Sequence, residues 1–344
     1  MIILMAGLDH KRADIEAREK FAITKEKTQQ ILTAIKQNGF IDCSVSGSVI
    51  ISTCNRTELY ISVENNCEVE PARLLCHALD RDYASFKTYF TERANDKAME
   101  HLCRVASGLY SQIMGDDQVI TQVREALELS RGQNCTDSFL ETMFRLAIQA
   151  AKAIKTKVIL KSFGISSIPE KAVEKLKTIF PLTGLKAVVI GNGQTGRLVS
   201  QLLIRENVNV TVTLRENKKG EIVIPQGAGA IGYNERYKAI EDADIVVSAT
   251  TSPHFTLRHD ELCVLARLPK VIVDLAVPRD VEPTVQNIGG VYLLTLETIT
   301  GETPVLPPES ISMINTIIAE HIEKYNQWYS FKVSCLVKSG EYQI

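Results

Sequence analysis

Seven consecutive residues, Ser52-Thr53-Cys54-Asn55-Arg56-Thr57-Glu58, place a thiol, a guanidinium, a carboxylate, an amide and hydroxyls at the end of a β-branched run. The thiolate is the nucleophilic form of cysteine, and a neighbouring cation such as Arg56 lowers a thiol pKa and populates it. Cys54 would then attack an activated acyl group and carry it as a thioester. A buried structural cysteine fits the same spacing, and spacing alone leaves both readings open. A second cluster starts at His101 and runs through Ser107, Gly108, Tyr110 and Ser111 to Gly115, Asp116, Asp117, Gln118 and Gln122. It offers an acid or base, hydroxyls, carboxylates and amides. A helix end followed by a polar turn would look the same.

The third feature is Gly191-Asn192-Gly193-Gln194-Thr195-Gly196, a GxGxxG pattern. It follows the apolar run 187–190 and opens a helix whose buried face would be Leu198, Val199, Leu202 and Leu203. That context is what a dinucleotide fingerprint requires: glycines for a tight turn, and a helix N-terminus for the pyrophosphate. The next strand ends in Thr213-Leu214-Arg215-Glu216-Asn217-Lys218-Lys219. Arg215 and the lysines suit a 2′-phosphate, which favours NADP over NAD, although the adjacent Glu216 would suit the ribose of NAD. A thiol acyl carrier and a nicotinamide hydride donor together can reduce an activated acyl group to an aldehyde.

These groups need elements to position them. Strands are expected over 2–9, 48–53 and 59–63, and a helix over 26–38. From about residue 97 to 156 the pattern is helical. Leu140, Met143, Phe144, Ala147, Ile148, Ala151 and Ile154 recur at steps of three and four, a core-facing stripe. Near-continuous apolar runs at 186–190, 208–214, 244–249 and 271–275 suit a parallel sheet buried on both faces. After a Pro- and Thr-rich loop at 300–308, Ile311, Ile314, Ile317, Ile318, Ile322, Tyr325 and Tyr329 keep helical spacing. That helix would pack on the chain or on a partner. The fold class is therefore α/β. An N-terminal α+β catalytic domain is expected over 1–156, a Rossmann-type doubly wound nucleotide domain over 157–300, and a long C-terminal helix within 301–344.

Composition excludes several classes. Among 344 residues, Lys plus Arg total 39 against 41 Asp plus Glu, so there is no basic excess of a general polyanion binder. A local basic patch stays compatible with this balance. No apolar run approaches the roughly 20 residues of a membrane span, and the N-terminus lacks a signal-peptide pattern. The eight cysteines show no CxxC pairs, so neither a zinc site nor a disulfide framework is expected. A cytoplasmic protein with free thiols follows.

The chain resembles the glutamyl-tRNA reductase family, which opens the five-carbon route to tetrapyrroles. The resemblance rests on GLDHKRADIEAREKF (7–21), STCNRTELY (52–60), RVASGLYSQIMGDDQVITQVREA (104–126), GNGQTGRLVSQLL (191–203), SATTSPH (248–254) and VDLAVPRDVEP (273–283). It implies that Cys54 attacks the ester of glutamyl-tRNA(Glu), tRNA leaves, and NADPH reduces the thioester to glutamate-1-semialdehyde. It further implies that Arg56, with Thr53 and Asn55, binds the substrate carboxylate, and that His101 is needed for full activity. Ser111, Asp116, Asp117, Gln118 and Gln122 would contact the glutamyl moiety. Gly191 to Gly196 would hold the pyrophosphate, with Arg215 near the 2′-phosphate. Glutamate-1-semialdehyde aminotransferase is an implied partner.

Three departures stand out. The family has Glu-Pro-Gln where this chain has Asp116-Asp117-Gln118, and Asp where it has Tyr110. The family also continues into a helical dimerisation domain, whereas this chain ends at Ile344, which puts the usual homodimer in question. Two other readings are a shikimate-dehydrogenase-like oxidoreductase acting on a free small molecule, and a non-catalytic NADPH- or tRNA-binding regulator.

Overall fold

The computed structural model describes residues 1–37, 44–53, 55–111, 114–115, 117–158, 167–215, 223–300 and 306–339. The chain divides into two compact units, Met1–Ile165 with Pro304–Ile344, and Ser166–Thr303. This differs from the three-segment division expected from sequence, because the C-terminal helix joins the first unit.

In chain order, the first unit contains β1 (Ile2–Asp9), α1 (Ile15–Lys20), α2 (Lys25–Lys36), β2 (Val45–Ser52), β3 (Arg56–Val63) and α3 (Pro71–Ala78). There follow α4 (Tyr83–Phe86), β4 (Thr91–Ala94), α5 (Asn95–Ala106), α6 (Asp117–Gly132) and α7 (Ser138–Lys157). The second unit holds α8 (Ile168–Ile179), β5 (Lys186–Ile190), α9 (Gln194–Arg205), β6 (Asn209–Leu214), β7 (Gly229–Gly232) and α10 (Arg236–Glu241). It closes with β8 (Ile245–Ser248), α11 (His259–Cys263), β9 (Val271–Asp274), β10 (Tyr292–Thr295) and α12 (Leu296–Thr300). The long helix α13 (Pro308–Ser339) then returns to the first unit.

The first unit is built on an antiparallel sheet in the order β2-β3-β1-β4. Alternation along its strands feeds two cores. Ile3, Met5, Val49, Ile51 and Tyr60 face α5, α6, α7 and α13, whereas Leu8, Ile50, Leu59, Ile61 and Val63 face α1, α2 and α3. All eight residues of β3 are buried, so its polar members have no water to fall back on. Asp137 caps α7 by accepting from Leu140 N at 2.9 Å, and it also accepts from Ser62 Oγ at 2.6 Å. The cap thus ties the helix to the sheet.

Helix α13 spans about 48 Å at 1.5 Å per residue. Ile314, Ile317, Ile318 and Tyr325 enter the first core, while Ile311 is exposed. Phe139 of α7 lies 5.6 Å from both the Trp328 and Tyr329 rings. The Tyr329 hydroxyl donates to the Met1 carbonyl at 2.6 Å.

The second unit is a six-stranded parallel sheet in the order β10-β9-β8-β5-β6-β7. Its strand order reverses between β5 and β8, the switch point of a doubly wound sheet, where ligands settle. The four apolar runs read from sequence are β5, β6, β8 and β9. The short edge strands β7 and β10 and the strand β4 carry no comparable signal.

The expectation of free thiols needs one correction, since Cys67 is disulfide-bonded. Cys76, Cys103, Cys135, Cys263 and Cys335 are free. Irregular spacing in sequence says nothing about which thiols a fold brings within bonding range. Among the described residues, no helix is long and apolar enough to cross a membrane, and no cluster could hold a metal ion.

Candidate active site

In the first unit the site is assembled at the start of β3. Residues 56, 58 and 60 are two apart and share one strand face. That face turns toward α5, and it carries Arg56, Glu58 and Tyr60 into a dry environment. Arg56 Nη1 donates to Glu58 Oε1 at 2.8 Å, with both side chains only 2% exposed. His101 Nε2 lies 2.9 Å from the same oxygen. The Tyr60 hydroxyl donates to Glu58 Oε2 at 2.8 Å. Gly7 sits opposite Glu58 in the ladder, and a Cβ there would fall 2.5 Å from Glu58 Cγ, so glycine is what makes room for the carboxylate.

Charge pairing decides the state of Glu58. Burial opposes its ionisation, but the adjacent His101 and Arg56 outweigh that and hold its carboxyl well below the usual range. Burial, and then Glu58, push the Tyr60 phenol well up. The other nitrogen of His101, Nδ1, is buried without a partner among the described residues.

Arg56 has a further partner, because its Nη2 donates to the Tyr110 carbonyl. Both ends of the fork expected to grip a substrate carboxylate are therefore engaged within the protein. The Tyr110 ring packs 5.5 Å from the His101 ring, and Lys11 Nζ stands 4.9 Å from the centre of the Tyr110 ring. The position where the family has Asp thus holds a ring covering the histidine. Ser111 is buried beside it, in a turn where Ser111 N and Gly115 N both donate to the Gly108 carbonyl.

Asn55 is tied from two sides. Its carbonyl accepts from His10 N at 3.0 Å, and its N–H donates to Thr53 Oγ1 at 3.2 Å. Arg18 Nη1 donates to Asn55 Oδ1 at 3.4 Å. Burial drops the His10 imidazole to about 4; Asp9 opposes the shift, and Arg56, Arg18 and Lys11 add to it. Cys54 and Asp116 lie outside the described residues, as does the side chain of Asp117. Gln118 is half-buried near the start of α6. Gln122 lines a separate cavity of about 530 Å³ with Ile23, Ser52 and Glu125. Sequence reasoning assigns Glu58 no role and passes over His10, Arg18 and Tyr60. The i, i+2, i+4 spacing of 56, 58 and 60 is the available signal.

In the second unit each fingerprint glycine has a separate cause. Gly191 has φ +103°, and a Cβ on it would stand 2.5 Å from the Ala249 carbonyl oxygen at the switch point. A Cβ on Gly196 would collide with the Gly191 carbonyl oxygen. Gly193, which caps α9, has nothing within 4 Å of where a methyl group would stand, so protein packing does not explain it. Close approach of this backbone to a bound nucleotide's pyrophosphate would account for it. Thr195 opens α9 beside Gln194, where free N–H groups and the positive helix end favour an anion. Asn192 Nδ2 donates to the Val223 carbonyl at 2.9 Å, while its buried Oδ1 has no partner among the described residues. These features fit a dinucleotide.

Arg215, exposed at the end of β6, lies 5.7 Å over the Tyr233 ring, and Arg236 lies 4.2 Å from the same ring. Two guanidiniums thus flank one ring at the end of β6, and that of Arg236 is also engaged by the Thr256 and Tyr233 carbonyls. Glu216, Lys218 and Lys219 lie outside the described residues. Two acids unassigned from sequence lock the neighbouring loops. Asp280 accepts from Ser248 Oγ at 2.8 Å, Thr250 N at 2.7 Å and Thr250 Oγ1 at 2.6 Å. Asp274 accepts from Ala276 N at 3.0 Å and Val281 N at 2.9 Å, and burial pushes its carboxyl up to about 7.

Comparison with known proteins follows the same division. Residues 6–158 match the model of the glutamyl-tRNAGlu reductase N-terminal domain, and residues 174–301 match that of shikimate/quinate 5-dehydrogenase. The chain is 40% identical over 333 residues to a glutamyl-tRNA reductase of Acetivibrio thermocellus, covering 96% of this chain and 98% of that one. A glutamyl-tRNA reductase of Alkaliphilus oremlandii shows the same identity and coverage. Among solved structures, glutamyl-tRNA reductase from Methanopyrus kandleri is 27% identical with a TM-score of 0.50, covering 98% of this chain and 82% of that one.

Proposed function

The chain belongs to the glutamyl-tRNA reductase family, and from that premise we propose that it converts glutamyl-tRNA(Glu) and NADPH into glutamate-1-semialdehyde, free tRNA and NADP⁺. This is the first step of five-carbon tetrapyrrole biosynthesis. Cys54 is the nucleophile. Its thiolate attacks the ester carbonyl carbon, the bond to the tRNA 3′ oxygen breaks, and that oxygen leaves with a proton. The glutamyl group remains as a thioester. An aminoacyl ester is already activated, so a thiolate suffices to open it. NADPH, when bound, would supply the hydride that takes the thioester to the aldehyde level, freeing the Cys54 thiolate and an aldehyde for an aminotransferase.

Arg56 receives the substrate carboxylate in place of the Tyr110 carbonyl while keeping Glu58, a task suited to a guanidinium fork. Thr53, Asn55, Ser111, Gln118 and Gln122 complete the glutamyl contacts, with Asp116 and Asp117 in the position of the family's Glu-Pro. His101 moves the proton. In the other unit, the open face of Gly193 and the start of α9 receive the pyrophosphate, and Arg215 takes the 2′-phosphate that makes NADPH the partner.

The observation that carries this reading is the buried Arg56–Glu58–His101 network, two of whose members lie within four residues of Cys54 in the chain. A single-turnover assay with glutamyl-tRNA(Glu) and NADPH tests it. Wild type should oxidise NADPH in step with tRNA release, and Cys54→Ser should do neither. Robust tRNA-dependent reduction by Cys54→Ser would sink the mechanism.

A further inference from the structure

We propose that Glu58 is a positioning residue for His101: it holds the imidazole in the Nε2–H tautomer and leaves Nδ1 as the atom that exchanges protons during acyl transfer. The chemical part rests on the function proposed above, whereas the tautomer does not. An ionised carboxylate has no hydrogen to give, so a separation of 2.9 Å between Nε2 and Glu58 Oε1 puts the hydrogen on Nε2. Glu58 is held as the carboxylate by Arg56, whose Nη1 donates to Oε1 at 2.8 Å, and by the Tyr60 hydroxyl, which donates to Oε2 at 2.8 Å, so both oxygens act as acceptors.

Glu58 is itself held from several directions. Oε1 also accepts from Arg56, Oε2 accepts from Tyr60, and Gly7 shapes the space around its side chain. The carboxylate therefore cannot turn to offer His101 a different partner. His101 is 5% exposed, with the Tyr110 ring against it. Its Nδ1 is buried and meets no partner among the described residues. A buried nitrogen with an unused lone pair is costly in a finished fold. It is what remains when the missing donor comes from a reactant.

The proton accounting closes on this one atom. Nδ1 accepts the Cys54 thiol proton, and the thiolate electron pair forms the bond to the ester carbon. The carbon–oxygen pair leaves with the tRNA 3′ oxygen, and the Nδ1 proton follows it. His101 ends neutral, and its Nε2 hydrogen never leaves. While Nδ1 is protonated, the imidazolium lies against the Glu58 carboxylate, which stabilises it as the third member of a catalytic triad does.

Two measurements on the full chain test this. With ¹⁵N-labelled histidine, long-range nitrogen–proton correlations report the His101 tautomer, the signal being assigned by its loss in His101→Gln. Protonated Nε2 and bare Nδ1 at neutral pH are expected, and the Nδ1–H tautomer overturns the proposal. In single-turnover kinetics, Glu58→Gln should slow acyl transfer on the order of 10²-fold with little change in KM for glutamyl-tRNA. The double variant Glu58→Gln/His101→Gln should be no slower than His101→Gln alone. Multiplying losses would mean that Glu58 acts independently of His101, and would overturn the positioning role. If wild type fails to use glutamyl-tRNA, the proposed function falls while the tautomer measurement still decides this inference. It also decides if Glu58→Gln fails to fold.

Discussion

Arg56 and Glu58 form a buried ion pair with almost no solvent to screen it, and such pairs are costly to break from one side. Replacing Arg56 with Met leaves Glu58 with an uncompensated charge, and should cost about 3–5 kcal/mol in urea unfolding. The double change Arg56→Met/Glu58→Met should recover part of that loss. If it is as unstable as the sum of both single changes, the two side chains are not coupled. His10 makes a pH prediction. Its imidazole falls from 6.5 to about 4 on folding, so between those values the unfolded chain binds the extra proton. Stability contributed by neutral His10 is therefore lost as pH falls through that window. Urea midpoints at pH 7 and pH 5 should differ less in His10→Gln than in wild type. An equal slope in both proteins would exclude His10 as its source.

At the scale of elements, the fingerprint loop separates glycines the fold needs from one it does not. Gly196→Ala should destabilise the chain, because its methyl meets the Gly191 carbonyl. Gly193→Ala should fold as wild type yet bind NADPH at least tenfold more weakly, read by fluorescence titration and thermal melting together. Wild-type affinity in Gly193→Ala would remove the pyrophosphate from that position. Helix α13 carries a different cost, since the Tyr325 hydroxyl is buried without a partner among the described residues. Tyr325→Phe should keep the ring packing and raise stability, by up to the roughly 1–3 kcal/mol that an unsatisfied buried polar group costs. A fall in melting temperature would show that the hydroxyl has a partner in solution.

Across the whole molecule, the two units respond to pH in opposite senses at these sites. Asp274 in the nucleotide-binding unit rises from 3.8 to about 7 on folding. The folded state then holds the proton longer, so this group's contribution to stability falls as pH rises from about 4 to about 7. His10 in the other unit loses stability in the reverse direction. Denaturation followed by a probe in each unit should show the second unit gaining relative stability on acidification. Asp274→Asn should flatten its share of that slope, and an unchanged slope would refute the assignment.

Much of this organisation is legible in the linear chain. The apolar runs become β5, β6, β8 and β9 because strands buried on both faces must be apolar throughout. The glycine fingerprint is readable because its backbone demands are local. Local chemistry and periodicity are thus written in the linear chain. Tertiary structure alone decided that His101, 43 positions from Glu58, shares its oxygen with Arg56. It also decided that the Tyr110 carbonyl engages Arg56, that α13 belongs to the first unit, and that Cys67 is in a disulfide. The physical reason for the polar pairings is that burial removes water as a partner. Each buried polar group must take whatever the fold brings near, and that neighbour lies far away in sequence. Helix α13 and Cys67 follow the same logic of proximity, since an apolar face or a thiol has no partner until the chain has folded back on itself.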